Sequence, residues 1–190
     1  MRHHLESGGL IVYPTSTLPG LGCLPQKNGL DNLFETKKRP DTMPVSLGVV
    51  SMTQVKDLVV IPEFVDGLLE FFPKGSLTII LPALAKVDSR LGGENIGIRV
   101  FSHPEAIKLA KEFGPITATS ANESGNLTEC DVEIAAKTLG IEKFIPGICP
   151  NEGGSTIIQF TVDSLIWSLI IMREGVVPRE DVKRWWTSQT

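Results

Sequence analysis

Apolar and polar positions along the chain follow two periods, and the places where the period changes mark out the elements. Short β-favouring runs predict strands at Leu10–Tyr13, Val45–Val50, Ser76–Leu81, Asn95–Val100, Ile116–Thr119, Thr156–Phe160 and Leu165–Met172. Helical spacing fills the intervals. Asn28 is a candidate cap for a helix with Leu30, Leu33 and Phe34 on one face, which Pro40 should terminate. A helical piece is expected around Val55, Leu58 and Val59, and a helix from near Pro62 to before Pro73 turns Phe64, Leu68, Leu69, Phe71 and Phe72 inward. Ser102 and Glu105 fit a capping box opening a helix that Gly114 closes, Asp131–Leu139 form another ending at Gly140, and Pro178 starts a charged terminal helix carrying Trp185 and Trp186. Strands and helices therefore alternate irregularly, which predicts a three-layer α/β domain with a mixed, twisted sheet. No Ser/Gly/Pro-rich linker interrupts residues 1–190, so one domain is expected.

Composition narrows the class. Hydrophobic residues at 42% and charged residues at 21% supply a substantial core and argue against disorder. The longest apolar run, Leu165–Met172, is interrupted by Ser168 and is too short to span a bilayer, and no signal-peptide core opens the chain. The expectation is a cytoplasmic protein with no membrane partner. Cys23, Cys130 and Cys149 are odd in number, widely spaced and lack a Cys-x-x-Cys pair, which argues against a disulfide framework or a zinc site and for reduced structural thiols. A net charge of −4 gives no global attraction to nucleic acid or anionic membrane, so any anion site must be local.

Local candidates follow. Ile116–Gly125 passes from strand to a crowded Ser/Asn/Gly segment in which Ser120 and Asn122, two apart, project to one side where the chain leaves the sheet. This is either a turn or a ligand site. Lys37-Lys38-Arg39 is the densest basic cluster, suited to a helix C-terminus and equally able to flank a polyanion such as a triphosphate. Arg99 interrupts an apolar strand, a placement that fixes a guanidinium well if it faces a cleft. The loop Pro14–Gly22 clusters hydroxyls and glycines, either to approach a ligand or to build an irregular turn. His103 reads as a helix-entry histidine, and His3 and His4 as part of a frayed, exposed terminus.

Five collinear segments carry a family resemblance: Tyr13-Pro14-Thr15 with Gly20-Leu21-Gly22, Lys37-Lys38-Arg39-Pro40 with Pro44, Ile98-Arg99-Val100 with His103-Pro104, Thr119-Ser120-Ala121-Asn122 with Ser124-Gly125, and Ser155-Thr156-Ile157. In this order the chain resembles the YrdC/Sua5 (TsaC) family of threonylcarbamoyl-AMP synthases, in the short single-domain form. The resemblance implies a YrdC/RibB-like α/β fold with a concave ligand groove. It also implies a nucleotidyltransferase joining L-threonine, bicarbonate and ATP into threonylcarbamoyl-AMP and pyrophosphate, toward threonylcarbamoyladenosine in tRNA. By the same resemblance Lys37 and Arg39 are catalytic; they hold the ATP phosphates with Ser120 and Asn122, and Arg99 and Ser155 assist. Thr15 and Thr78 meet threonine, and Mg²⁺ accompanies ATP without a nameable protein ligand. Possible partners are tRNA and tRNA-modification proteins. Ser16 stands where the family usually has Glu, Pro19 where it has Tyr, and Gly48 where many members have His. The alternatives are a nucleic-acid-binding module for double-stranded RNA or tRNA, and a family member that binds ATP without turnover.

Overall fold

All seven expected strands form, and an eighth joins them, in a computed structural model that describes residues 1–150 and 153–189. The strands are β1 (Ile11–Tyr13), β2 (Gly20–Gly22), β3 (Ser46–Val49), β4 (Leu77–Pro82), β5 (Asn95–Val100), β6 (Ile116–Ser120), β7 (Thr156–Asp163) and β8 (Ile166–Arg173). They make one open sheet in the order β1-β2-β6-β3-β5-β4-β7-β8. Two pairs, β3 with β5 and β4 with β7, run parallel and the rest antiparallel, so the sheet is mixed. The helices are α1 (Arg2–Glu6), α2 (Lys27–Lys37), α3 (Phe64–Phe71), α4 (Pro104–Phe113), α5 (Val132–Thr138) and α6 (Arg179–Thr187).

Strand alternation sorts side chains into layers, because neighbouring residues face opposite sides of a sheet. Ile11, Tyr13 and Ile116 join Leu5 of α1 and Ala106, Leu109 and Ala110 of α4 in one cluster. Val12, Leu21, Leu47, Ile79, Ile158 and Phe160 face the other way, against Leu30 and Leu33 of α2, Leu68 of α3, Ala135 of α5 and Val182 of α6. Trp185 and Trp186 pack inward: Trp186 lies 5.1 Å from the Phe64 ring and 5.3 Å from the Phe160 ring, and Trp185 is 6% exposed. The Phe64–Trp186 pair is edge-on, and aromatic pairs in that arrangement contribute about 0.5–1.5 kcal/mol each beyond their buried area. Among the described residues no helix is long and apolar enough to cross a membrane.

Four local expectations are corrected. The N-terminus is ordered as α1, held by buried Leu5 and by the His4 ring nitrogen at 2.8 Å from the Leu10 carbonyl. The loop Pro14–Gly22 ends as strand β2, because Gly20 and Leu21 find backbone partners on Ser120 and Thr119. Asn28 lies inside α2, whose N-cap is Gln26. Ser102 forms no capping box; its hydroxyl donates to the Lys74 carbonyl at 2.8 Å, and His103 caps α4 by accepting the Glu105 N–H at its Nδ1, with Pro104 supplying the pre-set first helical φ.

Candidate active site

The site begins where β1 gives way to Pro14. Tyr13 lies beneath β2, its hydroxyl donating to the Thr117 carbonyl at 3.0 Å, and burial pushes its pKa up so that it stays a donor. A Cβ at either Gly20 or Gly22 would come within 2.8 Å of the Tyr13 ring, so the Gly-x-Gly spacing is a requirement of this close approach. The turn so formed carries buried Thr15 and Thr17 back beside β6. Thr15 Oγ1 donates to the Leu18 carbonyl at 2.7 Å and accepts from Thr17 N–H at 3.2 Å.

Arg99 reaches this turn from β5. Its Nη2 donates to Thr17 Oγ1 at 2.7 Å and lies 3.4 Å from Thr15 Oγ1, while Nε and Nη2 both donate to the Gly75 carbonyl, at 3.2 and 3.1 Å. Ser16 shares that carbonyl at 3.4 Å. From the opposite wall, Ser155, just before β7, and Thr78 of β4 join their hydroxyls at 2.8 Å beside the parallel pairing of β4 with β7.

The end of α2 splits its basic residues between two tasks. Lys38 closes the helix in the left-handed region at φ 50°, which turns the chain so that Arg39 lines the cavity. Arg39 donates from Nε to Met43 O at 2.5 Å and from Nη2 to Pro44 O at 3.0 Å, leaving part of its five-donor fork for a ligand. Lys37 is 1% exposed, and its Nζ donates to the carbonyls of Ser120 (2.6 Å) and Asn122 (2.5 Å), with Asn122 Oδ1 at 3.3 Å. The Lys37 carbonyl accepts Ser124 N–H at 2.9 Å, and Lys38 pairs with Glu123 at 2.7 Å. The α2 terminus thus clamps the segment after β6. Burial, with the Arg39 charge adding, pulls the Lys37 pKa down to about 8.

These walls enclose a cavity of about 470 Å³, within the range of small-ligand sites. Thr15, Arg39, Thr78, Arg99, Ser120 and Ser155 line it. Lys37 and Asn122 stand behind the wall, where Asn122 Oδ1 accepts the Ser120 hydroxyl at 2.6 Å and so fixes it. The extended backbone that would project Ser120 and Asn122 to one side ends at Ser120, and the chain bends there with the Asn122 N–H donating to the Ser120 carbonyl at 3.0 Å.

One charged residue of the cavity wall was not singled out from sequence. Arg173, the last residue of β8, also lines the cavity, and its Nη2 donates to the Ser155 carbonyl at 2.7 Å. Nothing in the run Leu165–Met172 marks the following arginine; only the hairpin register, Ile157 opposite Arg173, delivers it. Arg39, Arg99 and Arg173 all have lowered pKa values, from burial first, with the Arg173 charge adding at Arg39 and Arg99. None of the three is in an ion pair among the described residues. Glu174, the carboxylate in the described lining, is 3.8 Å from Arg179 instead. In a chain of net charge −4 this is a concentration of arginines without ion-pair partners among the described residues, framed by hydroxyls and suited to a polyanion carrying a small polar group.

Residues 3–175 match the profile of the Sua5/YciO/YrdC family, described as telomere recombination. A threonylcarbamoyl-AMP synthase from Pyrococcus abyssi is 31% identical over 95% of this chain and 54% of its own length. One from Laribacter hongkongensis is 32% identical over 77% of this chain and 82% of its own. Among solved structures, P. abyssi Sua5 complexed with L-threonine superposes with TM-score 0.83 at 29% identity, covering 96% of this chain and 55% of that one. Escherichia coli YciO does so with TM-score 0.77 at 28% identity, covering 92% and 86%. The chain therefore spans about half the length of the Pyrococcus relative.

Proposed function

We propose, for a chain that belongs to the Sua5/YciO/YrdC family, that it is an L-threonylcarbamoyladenylate synthase, joining L-threonine, bicarbonate and ATP with release of pyrophosphate. The observation that carries this is the convergence of Arg39, Arg99 and Arg173, none of them in an ion pair among the described residues, on a cavity walled by Thr15, Thr78, Ser120 and Ser155. Attack of a threonine carbamate on the α-phosphorus brings together two anions and expels a third, so it needs neutralisation and alignment more than a protein nucleophile. The arginines take the phosphate charge, with Ser120 and Ser155 hydrogen-bonding phosphate oxygens. Thr15 and Thr78 bind threonine. Lys37 and Asn122 act through the Ser120 segment, which they hold in place. The Mg²⁺ expected with ATP would be held chiefly by the phosphates and water, and the arginines and hydroxyls carry the site's part in the reaction. The product would serve adenosine modification in tRNA, in the cytoplasm, with tRNA or tRNA-modification proteins downstream.

The test is pyrophosphate release measured with each substrate omitted in turn. Release should need ATP, L-threonine and bicarbonate together. Release that continues unchanged without threonine would refute the assignment, and ATP binding with no release under any condition would make the protein a nucleotide binder.

A further inference from the structure

Two of the three cysteines, widely spaced in sequence, are cross-strand neighbours. Asp131 and Ile148 form an isolated antiparallel bridge, which sets Cys130 opposite Cys149. The Cys149 N–H donates to the Cys130 carbonyl at 2.9 Å and the Val132 N–H to the Gly147 carbonyl at 3.0 Å, so the register is held on both sides. Facing residues that share such a backbone bond lie about 5.5 Å apart at Cα, within the roughly 4.4–6.8 Å that a disulfide spans. Directly opposed side chains also leave the ladder on the same side. Both sulfurs are free thiols; Cys130 is partly exposed and Cys149 is buried. We propose that Cys130 and Cys149 are a modification site for small-molecule disulfides, closing reversibly into an intramolecular disulfide.

The exchange balances in two steps. The Cys130 thiolate attacks one sulfur of a disulfide such as oxidised glutathione, forming a mixed disulfide and expelling one glutathione thiolate. The Cys149 thiolate then attacks the Cys130 sulfur, forming the protein disulfide and expelling the second. The protein gives up two protons and two electrons, and the reagent becomes two thiols. Burial pushes the Cys149 thiol pKa up, so closure quickens as pH rises. The site touches the cavity, because Cys149 Sγ accepts the N–H of Thr15 at 3.4 Å and closure turns that sulfur toward Cys130. Cys23 takes no part, since its buried thiol is held against Thr117 Oγ1 at 3.4 Å and is pushed up to about 11.

The experiment incubates the full chain with oxidised glutathione, quenches by alkylation, and maps the peptides by mass. Wild type should lose two alkylatable thiols, yield a Cys130–Cys149 peptide lighter by two hydrogens, and recover both thiols with dithiothreitol. Cys149→Ser should stop at the glutathione adduct on Cys130, and Cys130→Ser should keep Cys149 free. Three free thiols in oxidant-treated wild type, a bridge to Cys23, or disulfide-linked dimers in place of the internal bridge would each overturn the proposal.

Discussion

Replacing Lys37 with methionine separates a buried charge from the contacts it makes. The fall of its pKa from the usual 10.5 to about 8 corresponds to a cost of about 3 kcal/mol for the charged form in the folded protein. The folded value lies below the unfolded one, so between pH 8 and 10.5 the unfolded chain binds more protons and Lys37 makes wild-type stability rise with pH. Below pH 8 both states are protonated and the cost is present in full. Methionine removes it, along with the hydrogen bonds. Of the three acceptors, Ser120 O keeps the Asn122 N–H at 3.0 Å and Asn122 Oδ1 keeps the Ser120 hydroxyl at 2.6 Å, so Asn122 O is the one orphaned. An orphaned buried acceptor costs about 1–3 kcal/mol, which nearly offsets the gain. Urea unfolding should therefore put Lys37→Met within about 2 kcal/mol of wild type at pH 7. The difference, wild type minus variant, should then climb by about 3 kcal/mol as pH rises toward 10.5. Tyr13, Cys23 and Cys149 have raised pKa values and work against stability at high pH, but they are common to both proteins and cancel in that difference. A difference that stays flat across this window would refute the placement of Lys37 as a buried cation.

Arg173→Ala should weaken ATP about 10- to 150-fold, the equivalent of one charged hydrogen-bond set at roughly 1.5–3 kcal/mol, and weaken threonine less; calorimetry showing equal losses for both ligands would move Arg173 out of the phosphate site. Ser16→Glu puts a carboxylate where Ser16 Oγ now lies 3.5 Å from Arg99 Nη2. Its effect should fall on the threonine concentration dependence, whereas a rise in turnover of about 100-fold, roughly 2.7 kcal/mol of transition-state stabilisation, would show that a catalytic carboxylate is missing from this chain.

The fold was legible where a strand buries enough of one face to impose a period. Asn95–Val100 was expected with the very bounds it has, since Ile96 and Ile98 are core residues on one side and Arg99 projects from the other. Gly20–Gly22 was illegible because two of its three residues have no side chain to pattern; its strand character comes from pairing across to β6, a hundred residues on. The capping of α4 was misassigned because Ser102 and His103 are both competent at a helix start, and the pull of Ser102 toward Lys74 is a tertiary contact. At the site, strand ends and the collinear motifs pointed to the cavity residues, but a motif cannot say whether a lysine faces ligand or backbone. Lys37 and Arg39 read alike in sequence, and one left-handed residue between them sends them to different places.

The same contrast explains why a chain of net charge −4 can hold an anion. Several surface lysines and arginines here are answered by acids: Lys27 by Asp31, Lys38 by Glu123, Lys108 by Glu105 and Lys183 by Glu180. Such exposed pairs contribute little, about 0–1 kcal/mol each, and leave little field beyond a screening length. Arg39, Arg99 and Arg173 are held by carbonyls and hydroxyls, which satisfy N–H groups without cancelling charge. Their lowered pKa values record an unpaid electrostatic cost of folding, part desolvation and part the presence of Arg173 beside the other two. A polyanion entering the cavity relieves that cost, so its affinity comes from charge that folding has already concentrated and oriented.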